Sequence, residues 1–139
     1  MGHRRKAREI ALQVLYQVDT TGIDAPQALE LFWLNFEAPA NARDFATLLV
    51  TGTLAHVDEV DNAIRHCSDN WSIERMARVD KSILRMAIYE MLYLHEIPPK
   101  ATLNEAIDLG KRYGSENSGS FINGILDAFY SRIKMTDED

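Results

Sequence analysis

The sequence holds a single cysteine, Cys67, in 139 residues. A lone thiol excludes an intramolecular disulfide and fits a reducing compartment. No apolar run approaches the roughly 20 residues that span a bilayer. The N-terminus lacks the apolar stretch of a signal peptide, and Lys6 stands where a myristoylation signal needs Ser or Thr. A cytoplasmic protein is the expectation. Strand-like alternation is missing throughout. So are a GxxxxGK[ST] loop and a GxGxxG that opens a helix after a strand. His3, His56, His66 and His95 make neither an HExxH pair nor a zinc pattern with Cys67. No metal, cofactor or catalytic set is expected.

What is present is helical periodicity. Ala11, Val14, Leu15 and Val18 recur at the spacing of one helix face, and Gly22 closes that helix. Asp24 before Pro26 starts a second helix carrying Leu29, Phe32, Trp33 and Phe36, which Pro39 ends. Residues 42–66 read as one long helix or two in sequence. A loop follows at "CSDNWS", then a short helix from Ser72 to about Arg78. "VDKSILRMAIYEMLYL" is apolar nearly all round, the pattern of a buried central helix. Thr102-Leu103-Asn104-Glu105 reads as a capping box for the next helix, which Gly114 ends. The last helix carries Ile122, Ile125, Leu126, Phe129 and Ile133. Gly124 lies inside it, a placement that close helix packing would explain. The expectation is one all-α domain over 1–139. Its helical halves would cover about 1–66 and 72–134, and an acidic tail 136–139.

Charge is distributed unevenly. The chain has 15 Lys and Arg against 21 Asp and Glu, a formal charge of −6. Arg4, Arg5, Lys6 and Arg8 precede every acid; the remaining 11 cations and 21 acids balance to −10. This balance disfavours general attraction to polyanions, and any nucleic-acid contact must be local. Cations at a helix N-terminus oppose the macrodipole, which favours anions there. A ligand phosphate would reverse that sign by meeting the helix-end N–H groups and the side chains together. A solvated basic tail accounts for the run equally well.

A second cationic stretch is "GKRYGSENSGSFING". Lys111, Arg112 and Tyr113 end one helix, and Phe121 heads the next. Hydroxyls at Ser118 and Ser120 and the helix-start N–H groups suit a phosphate or sugar oxygen, and a ring beside cations can stack an unpaired base. Taken in isolation, dipole compensation by Lys111 and Arg112 explains this stretch better. Arg75, Arg78, Lys81 and Arg85 recur among Glu74 and Asp80, as on a solvated salt-bridged face. With Tyr89 and Tyr93 beside them, that face also suits a protein partner.

Together, "RRKAREIALQVLYQ", "VDKSILRMAIYEML" and "IPPKATLNEAIDLGKRYGSENSGSFINGILD" resemble, in order and spacing, the NusB family of bacterial transcription antitermination factors. The resemblance runs from Arg4 to about Ile133, and its final block is the most specific. It implies an all-helical fold of about seven helices in two small bundles. It implies binding to the boxA sequence of ribosomal-operon leader RNA, together with the small-subunit ribosomal protein that serves as NusE. RNA polymerase and other Nus factors would be reached indirectly. By the same resemblance Arg4, Arg5, Lys6 and Arg8 form the main phosphate-binding element. Lys111, Arg112, Ser118, Phe121 and Asn123 would carry further RNA contacts, and the ribosomal partner would lie near Glu74, Asp80, Arg85 and Tyr89. The family often has a basic residue where this chain has Ser120. The same helical module heads some RNA cytosine methyltransferases, whose catalytic domain is not expected here. The competing reading is a helical protein–protein scaffold with an incidental basic N-terminus. Pairing of an apolar face with itself, giving a homodimer, stays open.

Overall fold

Caps and breakers set the helix boundaries. The computed structural model describes residues 2–69 and 72–138. Helix α1 (Gly2–Thr21) stops at Gly22, whose φ of +78° is left-handed backbone that glycine adopts without strain. The Gly22 N–H donates to the Val18 carbonyl at 2.9 Å. Asp24 then caps α2 (Ala25–Asn35) by accepting the Gln27 N–H at 3.0 Å, with Pro26 in the first turn. Residues 42–66 are two helices, α3 (Ala40–Ala55) and α4 (Val57–Cys67), broken at His56. Asp58 and Glu59 in the first turn of α4, and Arg65 and His66 in its last, both complement the helix dipole. A 3₁₀ turn at Ile73–Arg75 leads to α5 (Arg78–Tyr93), α6 (Pro99–Tyr113) and α7 (Ser118–Glu138). Every regular element among the described residues is helical, as the periodicity requires. Of the loop expected at 67–72, Asn70 and Trp71 lie outside the described residues; so does Asp139 of the acidic tail.

The chain divides into two compact units, Met1–Ala55 and His56–Asp139. The sequence placed the division near 66–72. It falls before α4 because Val60 and Ile64, the apolar stripe of that helix, are buried where α4 packs on α5 and α7. In the first unit α1 lies along α3, and α2 packs against both. Ile10, Val14 and Leu15 meet a core completed by Leu29, Leu49 and Val50. In the second unit α5 is central, packed by α4, α6 and α7. Its all-round apolar surface is buried through Ile83, Leu84, Met86, Ile88 and Met91.

Two local expectations are corrected. The capping box at Thr102 is not formed. Helix α6 starts four residues earlier, at Pro99 with Pro98 as its N-cap, and the fixed φ of proline suits a first helical position. Thr102 is buried instead, and its hydroxyl donates to Glu90 Oε1 of α5 at 3.0 Å, satisfying a buried carboxyl. Nor does helix packing explain Gly124, where an added Cβ would meet nothing within 4 Å. The close approach between α6 and α7 occurs at Gly110, where a Cβ would stand 2.6 Å from Ile122 Cδ1. Gly114 is tighter still: its Cβ would stand 2.6 Å from Ser118 Cβ and 2.8 Å from the Gly110 carbonyl oxygen.

These surroundings give opposite expectations for one substitution at two sites. Gly124→Ala raises stability by about 0.5–1 kcal/mol, the helix preference of alanine in open space. Gly114→Ala lowers it by about 1–3 kcal/mol through overpacking. Urea unfolding reads both, and a lower midpoint for Gly124→Ala would mean that unrecognised packing surrounds the site.

Candidate nucleic-acid interface

The first turn of α1 contains no acid, so its cations stand at the end of the helix where the dipole favours anions. Arg4 and Arg8 are four residues apart and share one face of α1. Both guanidinium groups lie over the ring of Phe45 on α3, each 5.8 Å from its centroid. That is near the outer limit of about 6 Å for a cation–π contact. Arg8 is only 5% exposed, and Arg4 is half-buried. Arg5 and Lys6, between them in sequence, are exposed. The run is therefore one buried, one half-buried and two exposed cations, all within helix α1. Phe45 carries no net charge, so this contact orients two guanidinium groups without itself cancelling their charge.

The α6–α7 turn in the second unit is built by close approach. The stem of Lys111 lies against Gly119, where a Cβ would stand 2.9 Å from Lys111 Cγ. Arg112 is exposed, lies over the Tyr113 ring at 5.1 Å, and pairs with Asp108 across one helical turn at 3.7 Å. Tyr113 presents an exposed ring. Ser118 is 1% exposed, and its Oγ accepts the Ser115 N–H at 2.9 Å. Its hydroxyl thus folds the turn. Ser120 donates to the Asn117 carbonyl at 3.2 Å, Phe121 is half-buried, and Asn123 is exposed beside open space at Gly124.

The residues expected to meet a protein partner occupy unlike environments in the second unit. Glu74 is exposed and lies 3.7 Å from Arg65. Asp80 is buried in the first turn of α5, and its Oδ1 has no hydrogen-bond partner among the described residues. Arg85 donates two parallel hydrogen bonds to Asp61 of α4, at 2.8 and 2.9 Å, with both side chains largely buried. Tyr89 is buried at the base of a ring stack, 5.4 Å from Tyr93, which stacks on His56 at 4.2 Å. The Tyr93 hydroxyl donates to the Glu59 carboxylate. That bond, then partial burial, raises the Tyr93 pKa above its ordinary 10.0. Burial, then Glu96, raises that of Tyr89. No cluster of His, Cys, Asp and Glu among the described residues could hold a metal ion. No described helix is long and apolar enough to cross a membrane.

Sequence reasoning missed Phe45, Asp61 and His56. Phe45 reads as one more apolar residue on a helix face, and the cation–π partners of an aromatic leave no periodic mark. Asp61 and Arg85 are 24 residues apart, beyond any helical spacing that would pair them.

A family model described as the NusB family matches residues 5–131. The transcription antitermination protein NusB of Syntrophus aciditrophicus is 60% identical over 139 residues, 99% of this chain and 86% of that protein. The protein of the same name from Geobacter sulfurreducens is 52% identical over 134 residues, 96% of this chain and 97% of that one. Among solved structures, T. maritima NusB superimposes with a TM-score of 0.83 at 35% identity, covering 91% of this chain and 89% of that one. A crystal structure of the antitermination factors NusB and NusE in complex with dsRNA superimposes with a TM-score of 0.86 at 30% identity. It covers 95% of this chain and 98% of that one.

Two measurements check the second unit. Asp61→Ala and Arg85→Ala each lower stability by about 2–4 kcal/mol, because each strands a largely buried charge. The double variant loses less than the sum, and strict additivity in that cycle would deny the pair. In a phenolate absorbance titration, Tyr89 and Tyr93 ionise late, and Glu59→Gln moves the Tyr93 step back toward its ordinary value. A phenol whose folded pKa is raised stabilises the fold below pH 10, and that contribution fades as pH climbs through the raised value.

Proposed function

The chain belongs to the NusB family, and from that premise we propose that it is a non-enzymatic, RNA-binding transcription antitermination factor acting in the cytoplasm. It binds boxA-type leader RNA together with the small-subunit ribosomal protein NusE. Through that pair it joins RNA polymerase and other Nus factors and supports ribosomal RNA transcription. The observation that carries this reading is the cationic first turn of α1 in a chain that is otherwise strongly acidic, with Arg5 and Lys6 exposed and Arg4 and Arg8 oriented by an uncharged ring. The solved assembly of NusB and NusE with dsRNA supports it.

In this reading Arg5 and Lys6 bind phosphates directly, and Arg4 and Arg8 add positive potential at the same helix end. Lys111 and Arg112 add backbone contacts, Tyr113 and Phe121 offer rings for stacking, and the Asn123 amide reads a base edge. Gly124 keeps the surface of α7 low enough for the RNA backbone to approach. Ser118 acts indirectly, by shaping the turn. For NusE, exposed Glu74 is a rim contact, and Asp80, Arg85 and Tyr89 support the α4–α5 face from beneath.

Anisotropy with labelled boxA RNA, with and without the ribosomal protein, tests this. Arg5→Ala with Lys6→Ala weakens binding to every RNA and shallows the slope of log K against log salt by about 1.4, since each single-strand phosphate contact contributes about 0.7. Asn123→Ala instead narrows the preference for boxA over a scrambled RNA. Unchanged affinity and slope in the double variant would remove the α1 assignment. No RNA binding under either condition would leave a protein scaffold.

A further inference from the structure

Helix α2 is as apolar as a buried helix, yet only Ala28 and Leu29 of its eleven residues are buried. Leu34 is 74% exposed, and Phe36 just beyond the helix is 56% exposed. Leu31 on α2 and Leu48 on α3 add two further exposed leucines in the same unit. Between α2 and α3 lies an open groove of about 590 Å³, walled by Leu29, Trp33 and Leu34 on one side and Arg43 on the other. A second depression of about 540 Å³ shares the Trp33–Arg43 wall and reaches Phe36. A helix apolar around most of its circumference is normally covered, and exposed apolar side chains beside an apolar groove mark an interaction site.

Charge identifies what covers it. Residues 25–55 carry three acids, Glu30, Glu37 and Asp44, against the single cation Arg43. Glu30 lines the groove and Glu37 the second depression. Arg43 lies over the Trp33 ring at 4.7 Å. RNA would meet repulsion from these carboxylates. A second copy, docking the same face on itself, would oppose acid to acid. We propose that the α2–α3 groove docks a basic amphipathic helix of a partner protein, its apolar side chains against Trp33 and Leu34 and its lysines or arginines beside Glu30 and Glu37. This surface is separate from the RNA reading and does not depend on it.

The test uses the full chain and a synthetic helical peptide with leucine on one face and lysine on the other, followed by backbone amide NMR shifts. The expected result is saturable shifts on α2 and α3. Leu34→Ser weakens binding by about tenfold, and so does Glu30→Lys with Glu37→Lys. The same peptide with glutamate for lysine binds at least about tenfold more weakly. Leu34 is largely exposed, so its loss leaves the unfolding midpoint in place. Shifts confined to other helices, or equal binding of the two peptides, overturn the proposal. A dimer that Leu34→Ser dissolves overturns it in favour of a second copy, and boxA RNA shifting the α2 amides overturns it in favour of nucleic acid. Boxa affinity in the same variants reports the RNA reading separately.

Discussion

Two guanidinium groups share a neutral ring at Phe45, and the character of the first unit depends on that neutrality. An acid in the place of that ring would add a negative charge against Arg4 and Arg8. A ring binds the same groups through its quadrupole and through contact with their apolar stems, and brings no opposing charge of its own. The arrangement costs a few tenths of a kcal/mol per cation against the helix macrodipole. Burial of Ile10, Val14 and Leu15 on the same helix exceeds that cost, at roughly 1.5–3 kcal/mol for each large apolar side chain. A strong hydrophobic helix can thus hold an electrostatically unfavourable end.

The second unit solves a different problem, the placement of polar groups inside a helical core. The Asp61–Arg85 fork ties α4 to α5, and the Thr102–Glu90 bond ties α6 to α5. Apolar contacts tolerate sliding, whereas these pairs have fixed directions and fix the rotation of each helix. Close approach at Gly110 and Gly114 then brings α7 against α6. That turns Ser118 inward and leaves Lys111, Arg112, Tyr113 and Asn123 on the outside.

Helices α2 and α5 show how little composition says about surroundings. Both are apolar around most of their circumference. Helix α5 is covered by three neighbours, and α2 touches two while keeping Leu31 and Leu34 in solvent. Only the packing of α1 and α3 decides that difference, because it limits how much of α2 they can cover.

Much of the helix inventory was legible from short-range chemistry. The apolar spacing of α1 and α5, the left-handed Gly22, the Asp24 cap and the stop at Gly114 are local signals, and local signals survive in a sequence. The capping box at Thr102 misled because the same Thr-x-x-Glu pattern has a competing use, a hydroxyl donor for buried Glu90, that only a neighbouring helix reveals. The clustering of Arg4, Arg5, Lys6 and Arg8, the run's sign and its place at a helix start were determined by the sequence itself. Which of those cations stand exposed, which rest on Phe45, and which face of the apolar α2 stays open were decided by tertiary structure. The physical reason is that periodicity records which side of a helix is apolar, while burial and charge pairing depend on what another helix, distant in sequence, brings to that side.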